Sequence, residues 1–275
     1  MSKILIKKNF SEIQHIYDSF FLDLYGVTHN GLKLFPGVLN VLKKLKQLNK
    51  TVIFISNAPR RSSSIKKVLS NFGLKSFLYK DVISSGDITY EYFLKKMNNL
   101  KCYHIGTVKD KNMFKGLNNA IVEEKNLGKS DFILNTGVYE NAKVEDYENV
   151  LKKAQSISLK MVCSNPDLEI IRGKKKEICA GSIAMRYEQL GGEVKYYGKP
   201  YSEIYQKSYE TIKIKNKKKI LAIGDSLRTD INGANKFGLD SALVLTGILK
   251  DIKEIENFCR NANIYPKFLL NRLEW

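Results

Sequence analysis

The sequence predicts an α/β fold in which a parallel-sheet core is interrupted by a smaller inserted α/β domain. Three observations lead there. Short apolar runs of strand length end in polar residues, and most are followed by a stretch with helical spacing of its apolar residues. The polar clusters Ser56-Asn57 and Gly198-Lys199-Pro200 lie 142 positions apart, counted from Asn57 to Lys199. That is far more than the roughly 30 residues of one strand-helix-strand unit.

The first run, residues 19–22, is wholly apolar after Ser19 and stops at Asp23, which makes it a buried strand. After Pro36-Gly37, the spacing of Val38, Leu42, Leu45 and Leu48 predicts a helix over 38–48. Residues 51–55 form a second strand ending in Ser56-Asn57, and 62–72 a helix closed by Gly73. Inside the long interval, 103–105, 132–134 and 161–163 are short strands separated by helical patterns, which places the inserted domain at 100–183. Residues 219–223 form a third core strand ending in Gly224-Asp225, and 241–245 a fourth ending in Thr246-Gly247. The core therefore comprises 1–99 and 184–275. In open parallel sheets ligands bind beyond the carboxyl ends of the strands, so Asp23, Ser56, Asn57 and Asp225 are expected to converge.

Composition narrows the class. The 275 residues are 43% hydrophobic and 27% charged, within the globular range, and no stretch approaches the roughly 18 uninterrupted apolar residues of a membrane span. The first residues lack the apolar core of a secretory signal, so a cytoplasmic protein is expected. Four cysteines far apart, with three histidines, argue against a zinc site or a disulfide framework. A net charge of +18 invites a nucleic-acid reading, but the basic residues are 39 lysines and 7 arginines spread along the chain. The densest runs, 174–176 and 213–219, carry no interleaved aromatics for base stacking and read as solvated turns, so nucleic acid is not an expected partner.

The polar clusters carry chemistry. Asp23 ends a strand and is followed by Gly26, a carboxylate on a tight turn where a nucleophile can be exposed. Asp225 and Asp230 supply the hard oxygen ligands that Mg²⁺ takes alongside water and phosphate. Ser56, Asn57 and Lys199 offer a hydroxyl, an amide and a point charge to a phosphoryl group. Taken singly, Ser56-Asn57 is equally a helix cap and Gly224-Asp225-Ser226 a plain turn.

In order and spacing, Asp23-Leu24-Tyr25-Gly26-Val27, Ser56-Asn57, Gly198-Lys199-Pro200 and Gly224-Asp225 through Thr229-Asp230 resemble the four motifs of the haloacid dehalogenase-like hydrolase superfamily. The insertion after the second motif, with Asn165-Pro166-Asp167 and Ala180-Gly181-Ser182, resembles its class IIA, whose fold is a Rossmann-like core with an α/β cap. The resemblance implies a phosphatase of small phosphorylated metabolites. Asp23 would attack phosphorus and Lys199 would damp the charge. Ser56 would hold phosphate, and Asn57 would orient the nucleophile or substrate. Mg²⁺ would be held by Asp23, the Tyr25 carbonyl and Asp225, with Asp230 assisting. Asp167 and Ser182 would contact substrate from the cap, and a homodimer through the cap is implied.

One position departs. Two residues after the nucleophile, the phosphatases of this pattern carry an Asp as general acid and base, and here stands Tyr25, a phenol of reference pKa near 10. His29 is a candidate assistant. Asp-x-Tyr-Gly also resembles the haloacid dehalogenases themselves, where the aspartate displaces halide without metal. The acidic pair Asp225 and Asp230 favours Mg²⁺-dependent phosphoryl chemistry. A third alternative is a catalytically weak ligand-binding or regulatory protein on the same scaffold.

Overall fold

The computed structural model describes residues 4–172, 175–214, 216–247 and 251–275. The core sheet has seven strands in the order Leu5–Lys7, Phe268–Leu270, Asp240–Val244, Ile220–Gly224, Ser19–Asp23, Thr51–Ser56 and Asp81–Ser84. Every pairing in it is parallel. Successive residues of each strand face opposite sides, so Phe20, Leu22, Val52 and Phe54 pack on one face and Phe21, Ile53 and Ile55 on the other. The helix Val38–Gln47 covers the first face, burying Val38, Val41, Leu42 and Leu45, and Ile204 and Tyr205 of the helix Ser202–Thr211 cover the second. Burial on both faces explains why the central strands read as continuous apolar runs.

A second sheet is built from the inserted segment: Val194–Tyr196, Met161–Cys163, Phe132–Asn135, Lys101–Ile105 and Ala120–Val122, all parallel. The expected boundary at 183 cuts through the helix Ala180–Gln189, whose Ala180, Ile183, Ala184 and Tyr187 pack with Ile133 and Met161. The inserted sheet also takes in Val194–Tyr196, beyond that boundary. This edge strand is short and carries Lys195 in its middle, so it gives no apolar run in the sequence. An antiparallel hairpin, Glu169–Arg172 with Lys175–Ile178, projects from this unit. Lys175 and Lys176 thus lie in a strand rather than a turn, with Lys176 paired to Glu169 across the hairpin, while Lys174 and Lys215 lie outside the described residues. Apolar contact continues from the core sheet into the insert through Cys102, Phe132, Leu134 and Val162.

Candidate active site

Three core strands end side by side, and their last residues or the loops beyond them carry the chemistry. Asp23 closes Ser19–Asp23, Ser56 closes Thr51–Ser56, and Asp225 follows Ile220–Gly224. The strand Ser19–Asp23 pairs with both of the others, so these ends are neighbours despite their separation in sequence. Lys199 arrives on the return from the inserted domain. The residue is 3% exposed, and its ammonium donates to Asp23 Oδ1 at 2.5 Å and to Asp230 Oδ1 at 2.7 Å. Asp230 Oδ2 also accepts from the Ser226 N–H.

Asp23, Asp225 and Asp230 each offer a carboxylate oxygen within 4.8 Å of the others. Burial pushes the Asp23 carboxyl up to about 8, with Lys199 opposing the rise and Asp230 adding to it. Burial likewise raises Asp225, reinforced by Asp23 and Asp230. Burial works against the charge on Lys199, yet Asp23 and Asp230 hold its pKa well above the ordinary lysine value. Three buried carboxylates against one ammonium leave an excess of negative charge, which low-dielectric surroundings penalise. A divalent cation with oxygen preference fits that donor set, as three hard oxygen ligands lie within 4.8 Å of one another. Asp225 is also wedged between backbones: a Cβ on Gly26, whose φ is +90°, or on Gly247 would overlap its carboxylate.

Asn57 bonds to the chain on either side of the cleft rather than to Asp23. Its Nδ2 donates to Asp167 Oδ1 at 2.9 Å and to the Lys199 carbonyl at 3.1 Å, and its Oδ1 accepts from the Lys199 N–H at 2.7 Å. The amide therefore clamps the lysine backbone and the inserted domain's loop rather than the nucleophile. Ser56 Oγ accepts from the Ala58 N–H, and the next helix starts only at Ser62, so the pair is not a helix cap. Ser226 does cap locally, accepting from the Thr229 N–H, so Gly224-Asp225-Ser226 is both a turn and part of the site.

Tyr25 lines the cleft, but its hydroxyl donates to the Ile171 carbonyl on the inserted hairpin at 3.2 Å. Burial raises its pKa. His29 stands edge-on to the Tyr25 ring at 5.5 Å, accepts from the Gly31 N–H through Nδ1, and is held down to about 4 by burial. It is therefore neutral at physiological pH. Asp167 reaches the cleft, with burial raising its pKa against the pull of Lys199 and the Asn57 bond. Ser182 does not belong with the residues around the cleft: its hydroxyl donates to the Leu168 carbonyl within the inserted unit.

The cleft between core and insert has a volume of about 970 Å³. Sequence reasoning missed much of its wall, including Ile65, Val68, Val138, Tyr139, Ile170 and Ile171. It also missed Arg228, whose guanidinium donates to the Pro166 carbonyl and ties the inserted loop to the core helix after Asp225. No motif marks such residues, because each is recruited by the fold.

A family model described as haloacid dehalogenase-like hydrolase matches residues 20–119, and a second, of HAD-like hydrolases, matches 196–274. The chain belongs to class IIA of the haloacid dehalogenase-like hydrolase superfamily. Among solved structures it is similar to a haloacid dehalogenase-like hydrolase from Brucella suis, with TM-score 0.87 and 29% identity over 97% of this chain and 99% of that one. A "possible sugar phosphatase" from Cytophaga hutchinsonii gives TM-score 0.83 and 26% identity, covering 98% of both chains. The 4-nitrophenylphosphatase of Schizosaccharomyces pombe is 25% identical across 98% of this chain and 97% of its own length. Among the described residues no helix is long and apolar enough to cross a membrane.

Proposed function

We propose that this hydrolase is a Mg²⁺-dependent phosphatase of small phosphorylated metabolites, working through an aspartyl-phosphate on Asp23. The observation that carries the reading is the buried cluster of Asp23, Asp225 and Asp230 in the cleft, with Asp23 and Asp230 paired to the Lys199 ammonium. The printed names of relatives, a 4-nitrophenylphosphatase and a sugar phosphatase, support the same class.

Asp23, Asp225 and Asp230 would hold the ion, with the Tyr25 carbonyl as the further ligand that the family pattern implies. When bound, Mg²⁺ supplies positive charge to the phosphoryl oxygens and keeps the carboxylates ionised. Asp23 attacks phosphorus as the ester bond breaks. Lys199, fixed through the Asn57 clamp, offsets charge on Asp23 and on the transferring group. Water then attacks phosphorus and releases Asp23. The inserted domain covers the site, which excludes bulk water from the first step. Halide displacement has no use for Asp225, a buried acid that the Lys199 ammonium does not pair with.

The test is release of 4-nitrophenol from 4-nitrophenyl phosphate with Mg²⁺, with chelator, and in the Asp23→Asn variant. Metal-dependent release lost in the variant is the expected result. Release that persists in the chelator or in Asp23→Asn refutes the reading.

A further inference from the structure

We propose that the substrates are aryl phosphates and kindred esters whose leaving oxygen departs as a stabilised anion, because among the described residues Tyr25, His29, Lys199 and Asp167, the side chains suited to hand that oxygen a proton, are engaged elsewhere. The inference rests on the phosphatase reading above and narrows its substrate class.

Four proton carriers near Asp23 are already committed. The Tyr25 hydroxyl, the nearest in sequence, is spent on the Ile171 carbonyl of the inserted hairpin, and its ring is wedged against Gly31, where a Cβ would crowd the phenol oxygen. The His29 ring accepts from Gly31 at Nδ1 and packs between Tyr25 and Phe72. Lys199 is shared by Asp23 and Asp230. Asp167 is held on the Asn57 amide, whose other bonds fix the Lys199 backbone. Ile65, Val68, Val138, Ile170 and Tyr139 give the cleft wall an apolar part, beside charged residues that include Arg60, Glu169 and Arg172. The apolar part can take the flat body of an aryl group.

The first step then balances without an acid. A bond forms from Asp23 Oδ to phosphorus, the phosphorus–oxygen ester bond breaks, and the electron pair leaves on the aryl oxygen, which stays anionic or takes a proton from solvent. Water next adds to phosphorus, the bond to Asp23 breaks, and the water's proton goes to the phosphate or to solvent. The sum is ester plus water giving phenol plus phosphate.

The experiment measures kcat/KM with Mg²⁺, because that ratio reports the leaving-group step even when dephosphorylation limits kcat. The esters run from 4-nitrophenyl phosphate through phenyl phosphate to glycerol phosphate. A general acid contributes roughly 10²–10⁴-fold, so glycerol phosphate should fall below 4-nitrophenyl phosphate by about that factor or more. The steep dependence should persist in Tyr25→Phe, and Tyr25→Asp should narrow the gap by about tenfold or more. Glycerol phosphate within about tenfold of the nitrophenyl ester in the parent would overturn the proposal. So would selective loss of glycerol phosphate turnover in Tyr25→Phe or in Asp167→Asn, which would assign the proton to that residue. Absence of any Mg²⁺-dependent, Asp23-dependent hydrolysis across the series refutes instead the phosphatase reading on which the proposal stands. Thermal melts of each variant establish folding, and the parent series stands without them.

Discussion

Asn57→Ala tests the clamp that joins the second motif to Lys199. The side chain is 3% exposed and makes three hydrogen bonds, two to the Lys199 backbone and one to Asp167. Each buried hydrogen bond contributes about 1 kcal/mol net, and each group left unpaired costs about 1–3 kcal/mol. The substitution strands the Lys199 N–H and a buried Asp167 carboxylate, so a loss of about 3–5 kcal/mol is expected. At about 2–4 °C per kcal/mol for a chain somewhat below this size, Tm should fall by roughly 10 °C. Activity should fall further than stability explains, because a lysine displaced by about 1 Å costs about 10²-fold in rate. Melting followed by circular dichroism, with kcat on 4-nitrophenyl phosphate measured well below Tm, checks both numbers. A variant within about 2 °C of the parent and within about threefold in kcat would refute the clamp.

Mg²⁺ at about 100 times its Kd should stabilise the protein by about 2.7 kcal/mol. Asp225→Asn should remove most of that thermal shift, as seen in melts with and without the ion. Gly247→Ala should abolish activity and lower Tm, because the new methyl overlaps the Asp225 carboxylate; a fully active variant would contradict the packing. His104 sits below its usual range at about 4 because of burial, so the folded state binds fewer protons than the unfolded one between about 4 and 6.5. Stability is present in full above that window and declines as pH falls through it, and His104→Gln should flatten that part of a Tm-against-pH curve. Ser182→Ala should lose about 1 kcal/mol or less with kcat/KM unchanged, since the hydroxyl serves the Leu168 carbonyl.

The core strands Ser19–Asp23, Thr51–Ser56, Ile220–Gly224 and Asp240–Val244, and the convergence of Asp23, Ser56, Asn57 and Asp225 at their ends, were legible in the sequence, because each depends on a local signal. A central parallel strand must be apolar on both faces, and its carboxyl end is where the chain can turn polar. The strands Leu5–Lys7, Ala120–Val122 and Val194–Tyr196 were not legible, since each is an edge only three residues long with an exposed or half-exposed pattern. The same limit applied to side-chain roles. Asn57 and Tyr25 stand at motif positions, yet sequence spacing says nothing of which way an amide or a phenol points.

What the sequence determined by itself is the place of Asp23, Ser56 and Asp225 at the ends of apolar runs, because a buried parallel strand turns polar where it leaves the sheet, while the resemblance of the four motifs grouped them with Lys199 and Asp230. Only the tertiary structure decided what those groups touch. The Asn57 amide turns to Lys199 and Asp167, and the Tyr25 hydroxyl to Ile171, because the inserted domain folds back over the core and brings residues 110 and 146 positions away within hydrogen-bond reach.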